Sequence, residues 1–472
     1  MTTVRGQLFI GGEWTDSAGG TIEVLGAATG EVIGRVPAGT PADVDAAVAA
    51  ARAAFPSWRA TPMGERLELL RQVELALSAR ADELASLISA EVGTPLRVSR
   101  MLQVEGPRRA IENYRRLLPE LPLEEKIGPS VVIREPLGVV ACITAWNYPL
   151  QQVVGKAAGA LAAGCTVVVK PSEVAPLSAF ILADLIEEAG FPPGVLNLVS
   201  GDRRSGETLV AHPGVDMVHF TGSTTAGRHI GASAAQTVKR TSLELGGKSP
   251  NVILDDADLD LAVKVGVANC FTNSGQTCTA WSRMLVHRSQ LAQVEALVAQ
   301  RVARYRLGDP LDPDTNFGPL VSAEQQKSVR AHIRRAMADG ARLVCGGPEQ
   351  PPETPSGYFV APTVFSDVRV DMRLAQEEVF GPVLALMPYD TEEEAIEIAN
   401  STIYGLAGGV WSRDTTRAER VARRIRSGQI DINGSFFNPL APFGGHKQSG
   451  IGRELGVHGL LEFYELTSLQ YA

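Results

Sequence analysis

Hydrophobic residues recur at helical spacing along the N-terminal part of the chain. Apolar positions fit one helix over residues 41–55 and another over residues 63–92, and Gly93-Thr-Pro follows the second run. Apolar residues three and four apart form one face of a helix, and a Gly–Pro stop is typical of a helix end. The pattern predicts that the first part of the chain is largely helical.

After Cys165 the pattern changes to short β-branched runs that alternate with helical stretches. The strand-like runs cover residues 166–169, 195–199, 217–223 and 239–245, and the helical stretches cover 178–189, 206–212 and 224–235. Such alternation predicts a parallel sheet with right-handed crossovers, which is a natural scaffold for a nucleotide. A second alternating series follows Gly246-Gly and extends to about residue 433, so we expect a second α/β lobe.

Two strand-like segments, 130–135 and 463–471, fit neither series. We expect both to be exposed edge strands. Unpaired edge strands favour pairing with another chain, so the protein is predicted to form a homodimer or homotetramer.

Composition is that of an ordinary globular protein, with 44% hydrophobic and 21% charged residues. The length of 472 residues exceeds what one hydrophobic core usually supports, which agrees with two lobes. The net charge is −9 and no dense Lys/Arg run is present, so nucleic acid is not an expected partner. No apolar stretch predicts a membrane segment or a leader, and we expect a cytoplasmic protein.

Among five scattered cysteines without a CxxC pair, Cys278 is the candidate nucleophile. The spacing argues against a disulfide framework and against a metal site. A free cysteine is most often a buried structural residue, and Cys142, Cys165 and Cys345 keep that interpretation. Cys278, by contrast, is flanked by small and polar residues on a loop that follows a predicted helix.

Two further side chains are candidates for catalysis, each with an ordinary alternative. Glu244 lies between two leucines at the end of a predicted strand, where it is either a desolvated general base or a solvated strand-end carboxylate. Asn147 lies at a strand-to-helix junction, where its amide is either an oxyanion donor or a helix cap. Taken alone, neither sequence position decides between the catalytic role and the ordinary structural role.

Two loops are suited to a dinucleotide. Lys170 and Glu173 follow a predicted strand and are placed to hold a ribose, with the carboxylate binding vicinal hydroxyls and repelling a 2′-phosphate. Residues 220–227 lead from a strand through a small-residue turn into a helix, whose amide groups suit a pyrophosphate. The usual GxGxxG fingerprint is absent, and the glycine-rich segment 450–456 lacks a preceding strand and is a weak phosphate loop.

Together these segments resemble the aldehyde dehydrogenase superfamily over nearly the whole chain. The motifs that carry the resemblance are Trp146-Asn-Tyr-Pro, Lys170-Pro-Ser-Glu, Phe220-Thr-Gly-Ser, Leu243-Glu-Leu-Gly-Gly-Lys, Gly275-Gln-Thr-Cys, Glu377-Glu-Val-Phe-Gly-Pro and Pro442-Phe-Gly-Gly-His-Lys-Gln-Ser-Gly. They occur in the order of the family, and chance agreement of ordered motifs is far smaller than for any single one.

The resemblance implies an α/β fold of two doubly wound parallel-sheet lobes with a small β element for oligomerisation. It implies a dinucleotide-binding domain of residues 1–123 and 143–246, and a catalytic domain of residues 247–440. Residues 124–142 and 456–472 form the bridging element.

The resemblance also implies NAD-dependent oxidation of a small-molecule aldehyde to the acid, with NADP as a possible cofactor. By motif, the implied catalytic residues are Cys278, Glu244, Asn147 and Lys170. The implied cofactor-binding residues are Trp146, Lys170, Ser172, Glu173, Thr221, Gly222, Ser223, Gly227, Leu245, Lys327, Glu378 and Phe380. The expected substrate-pocket residues are Tyr148, Gln151, Gln152, Thr277, Thr279, Phe437 and Phe443.

One departure bears on the substrate, because Trp281 stands where many relatives carry glycine. Gln151, Gln152 and Gly155, on the helix after Pro149, lead us to expect a roomy, partly polar tunnel for a medium-sized aldehyde. Two other functions compete with the main one. A CoA-acylating enzyme would release the acyl group to a thiol, which the presence of Glu244 disfavours. A silent binding protein on the same scaffold is disfavoured by the retention of Cys278, Glu244 and Asn147 together.

Overall fold

The computed structural model describes residues 3–354 and 356–472. Its strands are β1 (Thr3–Val4), β2 (Leu8–Ile10), β3 (Glu13–Thr15), β4 (Thr21–Leu25), β5 (Val32–Pro37), β6 (Glu124–Ile127), β7 (Ser130–Pro136), β8 (Val139–Ile143), β9 (Thr166–Lys170), β10 (Leu196–Leu198), β11 (Met217–Thr221), β12 (Arg240–Glu244), β13 (Pro250–Ile253), β14 (Arg283–His287), β15 (Arg342–Cys345), β16 (Thr363–Ser366), β17 (Val383–Tyr389), β18 (Gly409–Trp411), β19 (Asp431–Ile432), β20 (Gly450–Ile451) and β21 (Tyr464–Gln470).

The α helices alternate with these strands over most of the chain. They are α1 (Pro41–Ala60), α2 (Met63–Ala79), α3 (Ala81–Val92), α4 (Leu96–Val98), α5 (Glu105–Leu117), α6 (Pro149–Ala163), α7 (Leu177–Glu188), α8 (Arg203–Ala211), α9 (Thr224–Ala235), α10 (Leu259–Phe271), α11 (Leu291–Val302), α12 (Ala323–Ala338), α13 (Arg373–Gln376), α14 (Glu392–Asn400), α15 (Thr415–Ala422) and α16 (Gly456–Leu461). Among the described residues, none of the helices has both the length and the apolar character that crossing a bilayer requires.

The first large sheet has the order β20-β12-β11-β8-β9-β10-β2-β3. Strands β12, β11, β8, β9 and β10 run parallel, and the outer strands β20, β2 and β3 are antiparallel to their neighbours. Val167 and Val169 pack in one core cluster while Val168 packs in another. Alternate residues of a strand therefore face two buried layers, as a parallel sheet covered by helices on both faces requires.

The second large sheet has the order β15-β16-β17-β14-β13-β18-β19 and is parallel except at β15. Leu285 belongs to one core cluster, and its neighbours Met284 and Val286 belong to the other. Alternate residues of this sheet therefore also face two buried layers. The predicted pair of parallel sheets is confirmed, and β20 joins the first sheet although it follows the second along the chain.

The expectation for segment 130–135 was wrong in one respect. Strand β7 is the central strand of a three-stranded sheet, β21-β7-β6, and so it is not an edge. It pairs with β21 from Tyr464↔Pro136 to Gln470↔Ser130, because the partner strand returns from far along the chain. The outer strands are β6 and β21, and assembly into a homo-oligomer through them stays a prediction.

The helical beginning is confirmed only after residue 41. Residues 3–37 form the short strands β1 to β5, which are too brief to show a clear alternation of apolar and polar positions. The predicted helix over 63–92 divides at Arg80, whose backbone leaves the helical region at φ −100° and ψ 20°. Asp82 and Glu83 in the next turn favour a new helix N-terminus there, since acidic groups stabilise that end. Gly93 ends α3 in the left-handed region, as expected.

Candidate functional site

A cleft of about 810 Å³ opens at the carboxyl ends of the parallel strands of the first sheet. Crevices at this edge are where open α/β sheets bind their ligands. The second lobe closes the cleft with the Cys278 loop and the segment 378–380. The predicted catalytic and cofactor residues that line it are Trp146, Asn147, Lys170, Ser172, Glu173, Thr221, Gly222, Ser223, Leu245, Cys278, Glu378 and Phe380.

At one end of the cleft, Lys170 and Glu173 form an ion pair. Strand β9 ends at Lys170, whose Nζ lies 3.3 Å from the Glu173 carboxylate. The lysine is 5% exposed whereas the Glu173 side chain is 43% exposed. The carboxylate therefore has access to solvent and to the hydroxyl groups of a bound ribose.

The turn after β11 presents the N-terminus of α9 to the same cleft. Ser223 caps this helix by accepting a hydrogen bond from the backbone N–H of Ala226 at 3.2 Å. Gly227 does not line the cleft. A Cβ atom there would lie 2.4 Å from the Leu245 side chain, so this glycine lets α9 pack closely against Leu245.

The loop that carries Cys278 is tightly folded. Asn273, Ser274 and Gly275 all adopt positive φ, at 54°, 56° and 75°, and a Cβ on Gly275 would lie 2.2 Å from the Gly381 carbonyl oxygen. This turn brings Cys278 to the cleft, where it is half-buried. Burial, followed by the nearby carboxylates of Glu378 and Glu244, raises the pKa of the thiol to about 12. The resting side chain is a neutral thiol.

Asn147 is held by its main chain and by its side chain. Its backbone carbonyl accepts hydrogen bonds from Gln103 Nε2 at 2.9 Å and from Asn273 Nδ2 at 3.0 Å. Its own Nδ2 donates to the Gln276 carbonyl at 3.0 Å, and its Oδ1 accepts from Gln152 Nε2 at 2.8 Å. Asn147 does not cap α6, so the helix-cap alternative is wrong.

Glu244 ends β12 and is 3% exposed, which excludes the solvated alternative. Among the described residues, neither of its carboxyl oxygens has a hydrogen-bond partner. Burial, then repulsion from Glu454, raises its pKa well above the usual value. A carboxylate with a raised pKa is a stronger base when it is ionised.

A buried group behind Glu244 was missed by the sequence analysis. Lys156 is fully buried in α6, and its Nζ contacts the Glu454 carboxylate and donates to Thr221 Oγ1 at 2.6 Å. His219 Nε2 lies 3.0 Å from the same carboxylate. Burial alone would raise the pKa of Glu454, but Lys156 and His219 outweigh it and lower the pKa to about 2. A lysine within the Val-, Gly- and Ala-rich part of α6 was the available signal.

The second lobe contributes Glu378 and Phe380 to the cleft. Glu378 accepts a hydrogen bond from the Gly247 N–H at 3.0 Å, and burial raises its pKa to about 7. Lys327, which was expected to bind the cofactor, does not line the cleft. Gln325 and Ser328 of the same helix line the cleft instead.

Among the expected substrate-pocket residues, only Gln152 lines this cleft. Thr277 directly precedes Cys278 in the sequence, and its hydroxyl group is hydrogen-bonded to that of Tyr148 at 2.9 Å. Phe437 and Phe443 pack edge to face with centroids 6.0 Å apart. The remaining two, Gln151 and Thr279, are half-buried outside the cleft. Trp281 is 2% exposed and belongs to the core of the second lobe.

Comparisons with known proteins agree over the whole chain. The profile of the aldehyde dehydrogenase family matches residues 14–469. The chain is 48% identical over 466 residues to 3-succinoylsemialdehyde-pyridine dehydrogenase of Pseudomonas sp, covering 98% of both chains.

Two crystal structures are similar in fold and sequence. One is a cysteine-to-alanine mutant of aldehyde dehydrogenase C from Pseudomonas syringae with NAD+ and octanal, at TM-score 0.97 and 46% identity over 98% of this chain and 96% of that one. The other is an aldehyde dehydrogenase of Mycobacterium tuberculosis with NAD+, at TM-score 0.98 and 43% identity over 100% and 99% of the two chains.

Proposed function

The chain belongs to the aldehyde dehydrogenase family, and from this premise we propose that Cys278, Asn147 and Glu244 carry out its reaction. It oxidises an aldehyde to the carboxylic acid with NAD+ as the acceptor. The observation that carries the proposal is that the Cys278 thiol shares a cleft with Asn147 while the Glu244 carboxylate lies near enough to raise its pKa.

The cleft fits the cofactor. The Glu173 carboxylate at its mouth suits vicinal hydroxyl groups, and the capped N-terminus of α9 offers backbone N–H groups to a pyrophosphate. Trp146 and Phe380 line the same cleft as Cys278, and their rings are in contact. Bound there, NAD+ supplies the hydride acceptor and a positively charged ring.

Acylation of Cys278 is the first half of the proposed reaction. The thiol loses its proton to solvent, and the sulfur bonds to the aldehyde carbon, which turns the carbonyl oxygen into an oxyanion. The Asn147 amide and the backbone N–H of Cys278 stabilise this oxyanion. Departure of the hydride leaves a thioester at Cys278, because the tetrahedral alkoxide expels a hydride that the free carbonyl would hold.

Hydrolysis of the thioester is the second half. Glu244 takes a proton from a water molecule as that water attacks the acyl carbon, and the carbon–sulfur bond breaks to release the acid and the Cys278 thiolate. The balance is one aldehyde, one NAD+ and one water giving one carboxylic acid, one NADH and one proton. A buried, raised-pKa carboxylate at position 244 supports water, and not a thiol, as the acyl acceptor.

Rapid mixing of enzyme, NAD+ and an aldehyde tests these assignments. We expect Cys278→Ala to form no NADH, and Glu244→Gln to give a burst of one NADH per site followed by a stalled thioester at Cys278. Mass spectrometry of the peptide that contains residue 278 should detect the acyl group. Normal steady-state turnover by either variant would contradict the assigned role, and turnover that strictly requires CoA would contradict hydrolysis.

The preferred substrate is proposed to be a medium-sized aldehyde. A relative at 46% identity has been solved with octanal, and another at 48% is a semialdehyde-pyridine dehydrogenase. A kcat/KM series from acetaldehyde to decanal and benzaldehyde should rise beyond four carbons or with the aryl group. A clear preference for acetaldehyde would contradict this substrate class.

A further inference from the structure

We propose that Gln152 is a positioning residue that decides which end of the Asn147 side-chain amide faces the reacting oxygen. The inference rests on the proposed function, because it concerns the oxyanion donor assigned there. The two ends of an asparagine amide are nearly equal in shape but opposite in chemistry. Only the NH2 end stabilises an oxyanion, whereas the oxygen end would repel it.

A backbone group fixes the orientation of Gln152. The N–H of Ala145 donates to Gln152 Oε1 at 2.8 Å, and a backbone N–H acts only as a donor. The oxygen of the Gln152 amide must therefore face Ala145. Its Nε2 is left to donate to Asn147 Oδ1, also at 2.8 Å. These two contacts place the Asn147 side-chain oxygen, and not its NH2 group, beside Gln152.

The other end of the Asn147 amide agrees with this orientation. Nδ2 donates to the Gln276 carbonyl oxygen at 3.0 Å, and a carbonyl oxygen acts only as an acceptor. One N–H is used there. Among the described residues the second N–H has no acceptor, and Asn147 lines the cleft that also contains Cys278. This second N–H is the one available to the aldehyde oxygen.

The main chain of Asn147 is held independently of Gln152. Gln103 and Asn273, both almost completely buried, donate to its backbone carbonyl. Loss of the Gln152 amide therefore removes one of the two hydrogen bonds that orient the Asn147 amide, without displacing the residue. A positioning role is in this way separable from a general structural one.

Two substitutions test the inference through the NADH burst rate. Gln152→Met retains the length of the side chain but donates nothing, and we expect a fall of about 2- to 13-fold, the effect of one lost hydrogen bond. Gln152→Glu retains the contact with the Ala145 N–H, but its carboxylate repels Asn147 Oδ1 and attracts Nδ2. The carboxylate favours an inverted amide while the Gln276 carbonyl opposes it, so the burst rate should fall further than in Gln152→Met, towards that of Asn147→Ala at about 10²- to 10³-fold below wild type.

The pH profile of Gln152→Glu is the distinguishing readout. A protonated carboxylic acid donates a hydrogen bond as the Gln152 amide does, so the ratio of the variant burst rate to the wild-type rate should rise as the pH falls. In an Asn147→Ala background, Gln152→Met should have no further effect, because it acts through the missing amide. Gln152 also lines the cofactor cleft, so the NAD+ dissociation constant is measured and should change by less than about twofold.

The outcomes distinguish failure of this inference from failure of the proposed function on which it rests. A normal burst rate in Asn147→Ala would overturn the proposed oxyanion role. A slow Asn147→Ala with both Gln152 variants at the wild-type rate would overturn only the positioning role. Equal losses of burst rate from Gln152→Met in the wild-type and Asn147→Ala backgrounds would also overturn it, since a purely structural effect is additive. A pH-independent rate ratio for Gln152→Glu would overturn it as well.

Discussion

The ring of Phe380 lies edge-on against the ring of Trp146, with the two centroids 5.3 Å apart. Phe380 comes from the second lobe and Trp146 from the first, so this contact joins the two walls of the cleft. Phe380 has a left-handed backbone at φ 53°, which is uncommon for a bulky residue and indicates that its surroundings fix its position.

Replacement of Phe380 by leucine should weaken cofactor binding. Loss of an aromatic pair of this geometry corresponds to about 0.5–1.5 kcal/mol, or about a 2- to 13-fold increase in the NAD+ dissociation constant. Fluorescence titration with NAD+ measures the change. Phe55→Leu, on the half-buried face of α1, is a matched control that should bind NAD+ as wild type does. Unaltered affinity in Phe380→Leu would show that the ring does not contribute to the cofactor site.

Alkylation of Cys278 by iodoacetamide should be slow at neutral pH in the absence of cofactor. With a thiol pKa of about 12, the thiolate fraction rises about tenfold per pH unit through the alkaline range, and the alkylation rate should follow it. Glu378→Gln removes the carboxylate that most opposes ionisation after burial, so it should accelerate the reaction. Mass spectrometry of the peptide that contains residue 278 gives the rate. A plateau below pH 9 would contradict the raised pKa.

Hydrolysis of the acyl-enzyme should become faster as the pH rises. The pKa of Glu244 is raised, so the carboxyl is protonated and inactive as a base at pH values where an ordinary glutamate is ionised. Double mixing of preformed thioester into buffers from pH 5 to 9 should give a limb with an apparent pKa well above 4.5. Glu454→Gln should move that limb to lower pH because it removes a repelling charge. A rate that is flat across this range would contradict general-base action by Glu244.

The buried Lys156–Glu454 pair should matter strongly to stability. Lys156→Met leaves Glu454 without its principal partner, which we expect to cost about 3–5 kcal/mol in the free energy of unfolding. Adding Glu454→Gln should recover part of that loss. Arg203→Met removes an exposed ion pair with Glu207 and should change stability by less than about 1 kcal/mol. Urea denaturation compares the variants, and equal stability of Lys156→Met and wild type would contradict the buried pair.

The pH dependence of that pair follows from the lowered pKa of Glu454. Its folded pKa is about 2, below the usual 4.5, so the stabilisation is complete above the unfolded value and is lost as the pH falls from 4.5 towards 2. The difference in stability between wild type and the double variant Lys156→Met/Glu454→Gln should shrink over this window. A difference that stays constant down to pH 2 would contradict this linkage.

Local pattern was sufficient for much of the fold and for the candidate residues. The predicted helix over 224–235 has the bounds that the structure gives to α9, since Ser223 is a strong cap and the apolar spacing is clear. Cys278 and Glu244 were identified because small and polar residues flank the cysteine and two leucines flank the glutamate. Lys327 does not line the cleft because residues 325 and 328 of α12 lie on one face of the helix and residue 327 does not.

Long-range contacts were beyond the reach of local pattern. Gln103 contacts Asn147 across 44 positions, and Asn273 contacts it across 126. Nothing in the immediate sequence of either polar side chain indicates that it supports a candidate oxyanion donor. In the same way β7 was read as an edge, because the strand that covers it returns only at residue 464.

The return of β20 and Glu454 to the first lobe has a consequence for synthesis of the protein. Glu454 is separated from Lys156 by 298 positions, and β20 completes the edge of the first sheet beside Glu244. Until those residues emerge from the ribosome, the lysine lacks its counter-charge and the sheet lacks its last strand, even though all other strands of that sheet already exist. A nascent chain therefore carries the thiol well before it carries a finished pocket, and the burial that raises the thiol pKa is complete only when both lobes are made.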